Sequence, residues 1–223
     1  MNTLEVCCGS LASALAAVEG GAERIELCSA LSLDGLTPTI GLLRELRSLY
    51  PHLKIHVLIR PREGDFVYSE AEIRVMERDI HEAVAAGATA IVSGALTPDN
   101  AIDLTTTARL VHAAEGLPFT FHRAFDKVTD PFAALEQLRS LGVTRILTSG
   151  CAPTAEVGIP LLCKLMKQGV IILPGGGVNS HNAQRILKET GATEIHGSCS
   201  TTLSNGLRHT SADEVRAILK AIS

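Results

Sequence analysis

Two short segments each pair a carboxylate with a thiol: Leu4-Glu5-Val6-Cys7 and, one strand–helix unit later, Ile25-Glu26-Leu27-Cys28. Alternate side chains of a strand share a face. Glu5 and Cys7 therefore point one way, and Glu26 and Cys28 point to the corresponding face of the strand expected beside it. Strands buried on both faces ought to read as unbroken apolar runs. Acids and thiols aimed at one place are costly unless something there uses them. The carboxylates suit acid–base work. The thiols, on strands about 4.8 Å apart, suit a shared metal ion. Two soft ligands without a tetrahedral set favour Cu(I) over zinc or magnesium. The alternative is a pair of small apolar core residues.

His122 is the leading proton-transfer candidate, ending the run Thr120-Phe121-His122-Arg123-Ala124-Phe125-Asp126. Asp126 stands four residues on, where it could orient the imidazole or bind a cation. His196 is a second candidate; for either histidine the alternative is a hydrogen-bonded structural residue. Arg60 could neutralise the two glutamates from the next strand, which would also be a structural ion pair. Arg62, Asp65 and Arg123 read equally well as loop anchors. Gly175-Gly176-Gly177, with Ser198 further on, offers backbone N–H groups to an anion. Outside the right fold the three glycines would mean only a tight turn.

These residues need a scaffold that gathers strand ends. Strand and helix signals alternate along all 223 residues. Strands are expected at 4–7, 25–28, 55–60, 90–93, 119–122, 145–148, 170–173 and 194–196. Helices are expected at 10–19, 39–50, 69–86, 101–115, 131–141, within 154–168, at 180–190 and at 211–222. Ser10 and Asp130 read as N-caps, Pro131 as a first helical residue, and Ser211-X-X-Glu214 as a capping box. Eight such pairs, about 28 residues each, predict an α/β fold, a single-domain TIM (β/α)8 barrel over residues 1–223. An open doubly wound sheet would stop at five or six strands and carry a glycine-rich turn after the first, where Cys8-Gly9-Ser10 is a poor match. In a barrel the strand ends listed above converge on one mouth, and the loops after strands seven and eight are where phosphate often binds.

Composition narrows the function. A net charge of −4 speaks against a nucleic-acid partner. No apolar run reaches the roughly 20 residues of a membrane helix, and no basic-then-apolar leader precedes the first strand, so a cytoplasmic protein is expected. The six cysteines include no Cys-X-X-Cys pair, and the eight histidines no His-Glu-X-X-His. In a cytoplasmic chain they are free thiols or metal ligands rather than disulfides. Partners left open are a metal ion, a small anionic metabolite and a second copy in a homo-oligomer.

Taken in order, Leu4-Glu5-Val6-Cys7, Gly20-Gly21-Ala22-Glu23-Arg24-Ile25-Glu26-Leu27-Cys28, Gly35-Leu36-Thr37-Pro38, Ile59-Arg60-Pro61-Arg62-Glu63-Gly64-Asp65-Phe66, Thr120 to Asp126, Arg145 to Gly150 and Gly175-Gly176-Gly177-Val178 resemble the CutC copper homeostasis family. The resemblance covers about residues 4–198. It implies a cytoplasmic single-domain barrel concerned with copper, with Cu(I) ligands at Cys7 and Cys28. The chain departs from the family pattern after His196, where the family reads Ser-Ala-Arg and this chain reads Gly197-Ser198-Cys199. Two functions stand beside each other: a Cu(I)-binding protein, and an enzyme acting on a small anion. In the enzyme, Glu5 or Glu26 and His122 would move protons, while Arg60 and Gly175, Gly176, Gly177 and Ser198 held the anion.

Overall fold

The computed structural model describes residues 2–202 and 208–223. Eight parallel strands follow one another: β1 (Thr3–Cys8), β2 (Arg24–Leu27), β3 (Lys54–Leu58), β4 (Ala90–Ser93), β5 (Phe119–Phe121), β6 (Arg145–Thr148), β7 (Ile171–Pro174) and β8 (Glu194–Gly197). They pair in the order β7-β6-β5-β4-β3-β2-β1-β8. One parallel bridge, Gly175 to His196, joins the last two and closes the cylinder. The helices are α1 (Leu11–Glu19), α2 (Ile40–Leu49), α3 (Glu70–Ala85), α4 (Leu104–Ala113), α5 (Pro131–Ser140), α6 (Ile159–Leu165), α7 (Ala183–Thr190) and α8 (Ala212–Ile222). This is the expected (β/α)8 barrel.

Local chemistry sets the helix starts. The Ser10 hydroxyl accepts from Ser13 N–H to open α1, and Asp130 accepts from Phe132 and Ala133 to open α5 before Pro131. Ser69 and Glu72 form a full capping box on α3. The box expected at α8 is half formed. Ser211 accepts from Glu214 N–H, but the Glu214 carboxylate is taken by Ser180 N–H and its hydroxyl. No described helix is long and apolar enough to cross a membrane.

The two faces of the strands divide the chemistry. Leu4, Val6 and Cys8 of β1 face outward and join Ile25, Leu27, Ile55 and Val57 in the apolar layer under the helices. Inside the cylinder Cys7, Cys28, Leu58 and Val92 form a second, small apolar cluster. Glu5, Arg24, Glu26, His56, Arg145 and His196 are buried polar and charged residues of the interior, and Leu147 is among its other apolar ones. The outer layer supplies the burial that stabilises the fold, which leaves the interior residues to serve another purpose.

An antiparallel hairpin that the sequence did not announce follows β8: β9 (Ser200–Thr202) and β10 (Arg208–Thr210). It stands over the barrel mouth beside Ser198.

Candidate functional site

Register decides which interior residues meet. Across β1 and β2, Glu5 pairs with Arg24 and Cys7 pairs with Glu26. The two glutamates therefore occupy different levels of the barrel, separated by the stagger of its strands.

The lower level is an ion network. Arg24 Nε stands 3.0 Å from Glu5 Oε2, and its Nη2 stands 2.7 Å from Glu194 Oε2. Arg145 binds the same Glu194 with two nitrogens, at 2.7 and 3.1 Å. His56 Nδ1 lies 2.6 Å from Glu5 Oε2, and His196 Nδ1 donates to Glu5 Oε1 at 2.9 Å. Burial alone would raise the Glu5 pKa. The contacts with His196 and His56 outweigh it and hold the carboxyl well below the usual range. Glu5 is thus a buried anion enclosed by Arg24, His56 and His196. The cation beside it is Arg24, in place of the expected Arg60. Arg24 and His56 were not singled out in the sequence, although both sit at inward positions of their strands, the same signal that marked Glu5.

The upper level holds the thiols. Cys7 Sγ lies 3.7 Å from Cys28 Sγ and 3.3 Å from Glu26 Oε1. Cys7, Glu26 and His196 bring one donor atom each within 4.8 Å of one another. The Cys28 contact and burial push the Cys7 thiol well above its ordinary value, so the Cys7 sulfur rests as a thiol until something displaces its proton. Burial raises Glu26 as well. His196 is raised despite its burial, chiefly by the charge of Glu26 and by its contacts with Cys7 and Glu5. His196 thereby links the ion network below to the thiols above.

Over this level opens a cavity of about 720 Å³. Cys7, Glu26, Arg60, Phe66, His122 and His196 are among its walls. The volume is that of a small-molecule site. Three buried atoms of these walls have no hydrogen-bond partner among the described residues: Glu26 Oε2, Arg60 Nε and His122 Nε2.

His122 differs from the expected proton acceptor. Its Nδ1 accepts from Ala124 N–H at 3.3 Å. A nitrogen that accepts carries no proton, so the proton sits on Nε2. Burial, with the charge of Arg60, lowers its pKa to about 3. It is a neutral donor. Asp126 does not orient it. That carboxylate accepts from Thr148 Oγ1, Ser149 N–H and Oγ, Cys151 N–H and Arg123 Nε, which anchors the loop after β6. Arg62 is likewise an anchor, bound to Asp65 and Glu72.

The glycine run has more than one task. A Cβ on Gly175 would stand 2.5 Å from Leu147 Cδ1 and 3.3 Å from the His196 ring, so Gly175 serves the closure of the barrel. Gly176 and Gly177, both at positive φ, line the cavity. Ser198 Oγ lies 3.0 Å from Ser200 Oγ, and Arg208 of β10 reaches Ser200 at 2.7 Å and Ser198 at 3.5 Å. A guanidinium thus arrives at the end of β8 from the hairpin. The sequence held no signal for it.

Comparison with known proteins places this geometry. The sequence model described as the CutC family matches residues 2–201. A human copper homeostasis protein cutC homolog is 48% identical over 208 residues, covering 92% of this chain and 76% of that protein. A CutC family protein of Bacteroides thetaiotaomicron is 46% identical, covering 92% of this chain and 84% of its own. A crystal structure of CutC from Streptococcus agalactiae superposes with a TM-score of 0.85 at 36% identity, covering 89% of this chain and 99% of that one. Phosphoribosylanthranilate isomerase of Thermotoga maritima shares the fold alone, with a TM-score of 0.64 at 13% identity.

Proposed function

The chain belongs to the CutC family, and from that premise we propose that it binds Cu(I) as cargo through Cys7 and Cys28, in the service of copper homeostasis. The observation that carries this reading is the 3.7 Å between the two buried sulfurs. With metal–sulfur bonds of about 2.3 Å, two thiolates on one ion at the tetrahedral angle stand about 3.8 Å apart. The spacing supports a shared ion without movement of the backbone. Thiolates are soft ligands, and the Leu58–Val92 surroundings are apolar, which favours Cu(I) over harder cations. Glu26 and His196 stand ready at Cys7 as further donors. A reducing cytoplasmic setting accords with the six free thiols.

Competition of the reduced protein against a chromophoric Cu(I) chelator tests it. One Cu(I) per chain is expected, with affinity lowered about 100-fold or more in Cys7→Ser and in Cys28→Ser. Unchanged affinity in the double variant removes the reading. Loss in Cys7→Ser and His196→Gln but not in Cys28→Ser would move the ion to the Cys7–Glu26–His196 group.

A further inference from the structure

Arg60 carries a buried charge without a counter-ion. It is 4% exposed. Its Nη1 donates to Leu33 O at 2.8 Å and to Gly35 O at 3.1 Å, and its Nη2 donates to Gly64 O at 3.1 Å. Carbonyl dipoles solvate a guanidinium but do not neutralise it. Among the described residues no carboxylate lies within ion-pair distance, although buried charges are ordinarily paired. Its Nε–H remains unused.

Beside it, His122 is 5% exposed and turns an unused Nε2–H to the same cavity. Phe66 ties the two together. Its ring centroid lies 5.1 Å from Arg60 Cζ and 4.9 Å from the His122 ring. Glu26 Oε2, 4% exposed, is the third unused atom of these walls. An unmet buried donor or acceptor destabilises the fold. A lone cation and two unfilled donors against one aromatic ring complete each other only when an anionic acceptor arrives.

We propose that this cavity binds a small hydroxylated organic oxyanion. Its charged oxygens accept from Arg60 Nε–H and His122 Nε2–H, and a hydroxyl of the same molecule meets Glu26 Oε2. The oxyanion is a carboxylate or a phosphate ester; both present the same acceptors. The site shares Glu26 with the thiol level of the same cavity, but its anion contacts, Arg60 and His122, do not rest on copper.

The test uses reduced, metal-free full-length protein with the His122 side-chain nitrogens observed by NMR. Glycerate, glycerol 3-phosphate and neutral glycerol are titrated to about 10 mM, the weak end of specific binding. At least one of the two anions is expected to shift the His122 Nε2 resonance saturably, glycerol none, and the stronger anion identifies the headgroup. His122→Phe and Arg60→Met are each expected to weaken that anion about tenfold or more, while His122→Phe keeps its Cu(I) affinity. Should the Arg60 variant not fold, the wild-type titration decides. A proton on Nδ1, no response to either anion, an equal response to glycerol, or full affinity in His122→Phe would each overturn the proposal. Loss of Cu(I) binding with anion binding intact, or the reverse, separates the two sites.

Discussion

His196 Nδ1 stands 2.9 Å from Glu5 Oε1, and that bond joins the two levels of the barrel interior. Below it Glu5, Arg24, Glu194 and Arg145 pair as charges. Above it stands the Cys7–Cys28 pair. One histidine belongs to both.

Glu5 is the counter-charge of this interior, touched by Arg24, His56 and His196 and fully buried. Glu5→Gln leaves Arg24 and the two histidines without it. A loss of roughly 3–5 kcal/mol in unfolding free energy is expected, read by urea denaturation. A loss under about 1 kcal/mol would mean that Glu194 alone balances the cluster.

Stability should fall in acid in two stages. His122 has its folded pKa lowered to about 3 from an ordinary 6.5. The unfolded chain therefore takes up this proton first, and stability declines as the pH drops below about 6.5, by at most about 1.4 kcal/mol per pH unit. Glu5, with its folded pKa held below an ordinary 4.5, adds a second decline below that pH. His122→Phe should flatten the first stage and leave the second. Denaturation midpoints between pH 7 and pH 2 measure both.

Asp126→Ala removes the acceptor of the loop after β6. Its side chain is 7% exposed and serves three residues of that loop. A loss of roughly 3 kcal/mol is expected from the donors left unmet. The His122 ring resonances should not move, because the two side chains do not touch. A change of the His122 tautomer in this variant would restore Asp126 to the role its spacing first suggested.

Cu(I) affinity should rise with pH. The Cys7 thiol is pushed well above its ordinary pKa, so binding must release its proton. Each proton displaced contributes a factor of about ten per pH unit. Competition titrations between pH 6 and pH 8 read the slope. A flat profile would mean that the sulfur is not a ligand.

Much of the fold was legible because each of its units is local. Alternation, caps and glycine stops mark the units one by one, and β4 and β6 fall on the expected residues. The site was legible only as a set. Inward positions along β1 and β2 announced Glu5, Cys7, Glu26 and Cys28, but levels within a barrel depend on stagger, which no single strand records. Hence Glu5 was matched to Glu26 and Arg60, when its partners are Arg24, His56 and His196. The His122 proton was assigned by a backbone N–H two residues on, a contact that spacing does not reveal. Arg208 lay beyond the last strand, in a hairpin without a motif.

X-ray absorption at the copper edge of the Cu(I)-loaded protein addresses the thiol pair most directly. Two sulfur neighbours in the wild type, falling to one in Cys28→Ser, are the predicted result. A copper surrounded only by nitrogen and oxygen, or a spectrum unchanged in Cys28→Ser, would contradict the account.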